Sequence, residues 1–149
     1  MSAQKIAAIR RQMTEKGLAA YIVPATDPHM SEYLPDRWKT LAWSSGFTGS
    51  AGTLVVTHEF AGLWTDSRYF LQAEQQLAGS GIGLVKLVVP HTTEFVGWLA
   101  TTLREGDVVG LDGSLMSRSW YQSLVAGTRP RGIRLDHHLV EVALGYPIF

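Results

Sequence analysis

Trp43-Ser-Ser-Gly-Phe-Thr-Gly-Ser-Ala-Gly-Thr-Leu-Val-Val-Thr-His-Glu-Phe-Ala-Gly-Leu-Trp-Thr-Asp-Ser-Arg-Tyr-Phe70 holds a glycine-rich loop, two apolar runs, a short connection and the mouth of a helix. Gly46, Gly49 and Gly52 recur at every third position, the pattern of a backbone that needs positive φ or close approach to a neighbour. Thr53-Leu-Val-Val-Thr57 is β-branched and bounded by turn residues, so it reads as a strand. Ala61-Gly-Leu-Trp-Thr65 reads as its partner, with His58-Glu-Phe60 short enough to close an antiparallel hairpin. Asp66 or Ser67 can then cap a helix over 67–78, whose Tyr69, Phe70, Ala73 and Leu77 fall at helical spacing.

Glycine-rich loops also hold phosphates, and that reading fails on each motif. No Gly-Lys-Ser/Thr follows, and the glycines lead into a strand instead of opening a helix. A nucleophile elbow at Ser50 would need glycine where Thr48 stands. A packed loop entering a hairpin is the better account, and by chemistry alone the stretch declares no activity.

Outward from the hairpin, helices and strands alternate. Ile6, Ile9 and Met13 lie on one face of a helix over 3–16, stopped by Gly17. Leu18 to Val23 is a short apolar strand ended by Pro24. The loop 24–33 carries Asp27, His29 and Glu32, a set that raises the question of a metal. Zinc-type sites need a second ligand cluster to close the shell, and none is evident, so a helix cap at Thr26 or Asp27 is preferred. Arg37 to Trp43 reads as a short helix with Trp38, Leu41 and Ala42 on its apolar face. Later come a strand over 84–89, a helix from a Thr92 or Thr93 cap to about Leu103, and a strand Val108 to Leu111. A helix over 117–126 and a strand near 133–135 finish the pattern. The expected fold is α/β, a mixed, roughly six-stranded sheet with helices on both faces.

Composition bounds function by exclusion. A chain of 149 residues, 46% hydrophobic and 17% charged, fits one globular domain. Thirteen basic and thirteen acidic residues cancel, so no charge field argues for nucleic acid. Arg129, Arg131 and Arg134 cluster, but Pro130 and Gly132 between them read as a solvated turn. With no cysteine, disulfide frameworks and thiol catalysis are excluded, and a cytoplasmic location is expected. No window approaches the ~20 apolar residues of a membrane span, and the start lacks a signal peptide's apolar core, so no membrane partner is expected.

Ser45-Gly-Phe-Thr-Gly-Ser-Ala-Gly52 followed by Trp64-Thr-Asp-Ser-Arg-Tyr-Phe70 resembles the amino-terminal domain of Xaa-Pro aminopeptidase (aminopeptidase P), in the creatinase/prolidase group. Tyr21-Ile-Val-Pro-Ala-Thr-Asp-Pro-His29 and Ser31-Glu-Tyr33 are similar to the family's first strand and loop, and Gly110-Leu-Asp112 and Leu139-Val-Glu-Val142 fit more loosely. The resemblance implies a creatinase N-terminal, ribonuclease H-like fold over 1–143, with 144–149 starting a linker to a downstream domain. It implies two divalent metal ions, manganese, held by two Asp, one His and two Glu in that separate catalytic domain. None of those motifs falls on this chain, so the expectation is a chain with no cofactor and no catalytic residue. The catalytic domain and further copies of the protein are the implied partners. The role implied is substrate access and oligomer contacts in an enzyme that releases the residue preceding proline. A free-standing binding module on the same fold is the alternative. Within the domain two readings of Arg68 and Tyr69 stay open. In one, Arg68 pairs with Asp66 or Asp112 and Tyr69 packs in the core. In the other, both join Asp27 and His29 on a substrate-proximal face. The apolar ending with Tyr146, Ile148 and Phe149 is read as a surface that a partner covers.

Overall fold

Ile6, Ile9 and Met13 form the buried stripe of α1 (Ser2–Lys16) in the computed structural model, which describes residues 2–24, 40–49, 51–88, 93–111 and 118–136. Gly17, at φ 69°, ends that helix as the sequence predicts. Leu18 N donates to Met13 O at 2.8 Å and Gly17 N to Thr14 O at 3.3 Å, the paired bonds of a left-handed helix stop. The chain then enters β1 (Ala20–Pro24), buried at every position.

The expected hairpin forms at the expected residues: β2 (Thr53–Thr57) and β3 (Ala61–Thr65) are antiparallel, with Leu54 opposite Leu63. Its connection closes through Thr57 N donating to Phe60 O at 2.7 Å. With β4 (Gly83–Lys86), β5 (Val108–Leu111) and β6 (Arg134–Asp136) the sheet has six strands in the order β4-β3-β2-β1-β5-β6. β2 is antiparallel to both neighbours, and the other three pairings are parallel. The sheet is therefore mixed, as read from the sequence.

Strand alternation sends successive side chains into two cores. Tyr21, Val23, Leu54, Val56 and Leu63 pack with α1, α2 (Thr40–Ser45) and α3 (Phe70–Leu77). Ala20, Ile22, Val55, Trp64 and Val109 pack with α4 (Glu94–Thr102) and α5 (Arg118–Thr128) on the opposite face. Sheets covered on both faces have near-continuous apolar strands, and β1, β2 and β3 are buried throughout.

The departures are at element ends. The helix read over 37–43 runs from Thr40 to Ser45, with 37–39 outside the described residues. The helix read over 67–78 is a 3-10 turn, Ser67–Tyr69, followed by α3. The strand read to residue 89 stops at Lys86. Leu87 N still donates to Thr65 O at 2.9 Å, and Val88 N, which by strand alternation faces away from β3, donates to the Glu94 carboxylate at 3.0 Å. Thr93 is at the cap position of α4 but makes no side-chain cap bond, and Thr92 lies outside the described residues.

Candidate functional site

Phe47 organises the glycine loop. It follows Gly46, which at φ 80° takes the left-handed conformation that glycine adopts without penalty. The turn is fixed from α2, where Ser45 Oγ donates to Leu41 O at 2.6 Å and accepts from Phe47 N at 3.1 Å. Phe47 is fully buried, and Tyr69 meets it edge-on with ring centroids 5.8 Å apart. A Cβ on Gly49 would lie 2.8 Å from Phe47 Cε2 and 2.9 Å from Tyr69 Cδ1. One on Gly52 would lie 3.1 Å from Phe47 Cε2. These two glycines are needed for close approach to the ring, and neither holds positive φ. Of the two reasons open for them in the sequence, the second applies.

A polar clip ties the loop to α3. Thr48 N donates to Gln76 Oε1 at 2.9 Å, and the side-chain amides of Gln76 and Gln72 donate to Thr48 Oγ1 at 2.9 and 3.0 Å. Gln72 and Gln76 sit one helical turn apart, so both reach the same hydroxyl. Thr65 Oγ1 donates to Ala51 O at 2.7 Å and holds the far end of the loop to β3. Sequence reasoning missed this clip: the i, i+4 spacing of the glutamines is visible, but their target on the loop is not.

Asp66 caps the 3-10 turn, accepting from Arg68 N at 3.1 Å. The same carboxylate takes Arg68 Nε at 2.9 Å and Nη2 at 2.9 Å, a bidentate fork. Asp66 is 2% exposed and Arg68 53%, so a buried carboxylate holds a surface cation in one orientation. The side-chain hydrogen bonding that Arg68 donates to Asp66 raises the guanidinium above its ordinary value, desolvation works against it, and Coulomb attraction adds. The guanidinium carbon also stands 5.1 Å over the Tyr69 ring. Phe47, Tyr69 and Arg68 thus form one stack from core to surface, with the buried Asp66 clamping the guanidinium.

The ion-pair partner of Arg68 is Asp66, whereas Asp112 lies outside the described residues. Tyr69 is half-buried against the first core. Asp27 and His29 also lie outside the described residues, so the structure brings together Arg68, Tyr69 and the three glycines of the predicted set. The stack can present an oriented cation beside an aromatic ring. Among the described residues no group of three His, Cys, Asp or Glu side chains could hold a metal ion. A dinuclear site does not fit this donor set.

The match to a known family covers residues 5–133, on the model of the creatinase/prolidase N-terminal domain. Xaa-Pro aminopeptidase 2 of Rattus norvegicus is 42% identical over 144 residues, 95% of this chain and 21% of its own length. Aminopeptidase P2 of Arabidopsis thaliana is 47% identical over 116 residues, 76% of this chain and 16% of its own length. This chain therefore spans about a fifth of the curated relatives it matches. Among solved structures, an X-prolyl aminopeptidase from Caenorhabditis elegans, described as a cytosolic enzyme with a di-nuclear active site, superposes with a TM-score of 0.82 at 33% identity. That match covers 91% of this chain and 24% of the solved one. The N-terminal domain of cytoplasmic peptidase PepQ from Mycobacterium tuberculosis shares the fold alone, with a TM-score of 0.69 at 20% identity over 89% of this chain and 91% of that one.

Proposed function

This chain belongs to the creatinase/prolidase N-terminal domain family, and on that premise we propose that it is the non-catalytic amino-terminal domain of a metal-dependent Xaa-Pro aminopeptidase. The observation that carries the reading is identity of 42% spread over 95% of the chain while covering only 21% of a relative of that name. On this reading residues 1–143 are the domain, and 144–149 begin the linker to the catalytic domain. Two divalent ions, manganese, belong to that downstream domain. There they would activate a water and polarise the scissile carbonyl, the chemistry of paired metals.

The part we assign to this domain is shaping substrate access and subunit contacts in a cytoplasmic homo-oligomer. The face around Arg68 and Tyr69, with the loop bearing Asp27 and His29, is its substrate-proximal surface. Support comes from the stack itself: a buried carboxylate and a packed ring hold an exposed cation still, and a fixed group on a rigid scaffold can steer a peptide.

Three measurements test this. Reading the coding sequence past residue 149 should reveal a ligand-bearing catalytic domain, and a stop codon there would favour the free-standing module. The purified chain, given manganese, cobalt or zinc, should not cleave an Xaa-Pro peptide, and turnover that survives a control for contaminating peptidases would overturn the non-catalytic assignment. In the longer polypeptide, Arg68→Ala should raise KM several-fold with kcat little changed, the pattern of lost uniform binding. An unchanged KM would remove Arg68 from the substrate-proximal face.

A further inference from the structure

A trough opens at the other end of the sheet, far along the chain from the glycine loop. Tyr121 and Val125 of α5, with Ile133 and Leu135 around β6, line a cavity of about 370 Å³, and Arg129 and Arg134 complete its wall. The helix runs into a 3-10 turn at Arg129–Arg131, and Gly132 at φ 74° folds the chain back into β6. Three arginines are thereby gathered at one corner, all exposed. None of them forms an ion pair among the described residues. Three carboxylates share this corner: Asp107 accepts from Arg104 N at 2.8 Å, Glu105 packs beside Gly132, and Asp136 ends β6 with a partner of its own. The corner thus presents three exposed guanidinium groups without an ion pair among the described residues, on a chain whose net charge is zero.

β6 is also an edge. It pairs with β5 on one side and is the last strand of the sheet among the described residues. Arg134 N donates to Asp107 O at 2.9 Å, so by strand alternation the N–H and C=O of Leu135 point away from β5. An edge with free backbone groups, a trough beside it and unpaired arginines together match one way of binding, the addition of an extended strand.

We infer that the trough between α5 and the β6 edge binds an extended acidic peptide segment of a partner protein. The segment adds to β6 through Leu135, seats one apolar side chain against Val125 and Ile133, and sets its carboxylates against Arg129, Arg131 and Arg134. The exposed guanidinium groups, which make no ion pair among the described residues, select an acidic occupant over a basic or neutral one. This site is independent of the aminopeptidase reading and can fail without it.

The experiment uses the 149-residue chain, 15N-labelled, titrated with a blocked hexapeptide of sequence Asp-Val-Glu-Phe-Asp-Glu. A peptide with lysine at the four acidic positions serves as the control. Amide shifts should concentrate at Val125, Gly132 and Leu135, Leu135 N–H should gain protection from hydrogen exchange, and binding should weaken as salt rises. Arg129→Glu with Arg134→Glu, both on the surface, should weaken binding about tenfold, the scale expected from reversing two exposed charge pairs. Absence of shifts at millimolar peptide, equal binding of the lysine peptide, or a Leu135 N–H already protected in the free chain would each overturn the assignment.

Discussion

Gly46 and Gly49 stand three residues apart in one loop, yet each is glycine for its own reason, and substitution separates the two. Gly46 is held at φ 80°, so Gly46→Ala should cost about 1–2 kcal/mol, the left-handed penalty, and Gly46→Asn less. Gly49 instead faces the Phe47 and Tyr69 rings, so Gly49→Ala should cost about 1–3 kcal/mol by overpacking, and Gly49→Asn more. Urea midpoints of the four variants decide it; the same Ala-to-Asn order at both positions would refute the distinction. At Asp66 the carboxylate is both cap and clamp. Asp66→Ala should lose about 1 kcal/mol, while Asp66→Asn, which can still cap, should retain most of that stability. Equal midpoints for the two variants would leave the cap without a measurable part.

Elements were legible in the sequence where a local pattern and burial agree. The hairpin was read to the residue because Thr53–Thr57 and Ala61–Thr65 are β-branched or apolar, bounded by turn residues, and buried throughout. α1 was legible for a similar reason: a 3.6-residue stripe and a glycine stop coincide. What failed depends on partners distant in the chain or in space. Glu94 reaches back to Val88 N just past the end of β4, and no propensity signals that bond. In the candidate site, the Asp66–Arg68 pair was readable because its members are two residues apart. The contacts of Gly49 with Phe47 and Tyr69, and of Thr48 with Gln76, arise only when α3 packs on the loop. The same contrast predicts local stability. β1 and β2, paired on both sides and buried, should exchange amide hydrogens only by global opening, whereas the edge strands β4 and β6 should open first. Native-state exchange that ranks β4 with β1 would contradict the sheet order as the source of that gradient.

At the scale of the whole molecule, a single sheet separates two cores, and its central strands feed both. Tyr21 and Val23 of β1 enter the core under α1, while Ala20 and Ile22 of the same strand enter the core under α4 and α5. Neither core can melt while the other persists, because β1 and β2 would have to keep one face and lose the other. The chain should therefore unfold in one cooperative step, as single domains of this size generally do. Ile9→Ala empties a fully buried site in the first core and Leu124→Ala one in the second. Each should cost about 2–5 kcal/mol by transfer and cavity terms. Because the two sites lie on opposite faces of the sheet and share no core, the costs should add to within about 0.5 kcal/mol in the double variant. Far-ultraviolet dichroism follows the backbone, and tryptophan fluorescence is weighted toward Trp64, Trp98 and Trp120 on the second face. The two probes should give one coincident transition in the parent and in both single variants. If Leu124→Ala moved the fluorescence transition and left the dichroism midpoint where it was, the two cores would be separable units and the shared sheet would not couple them.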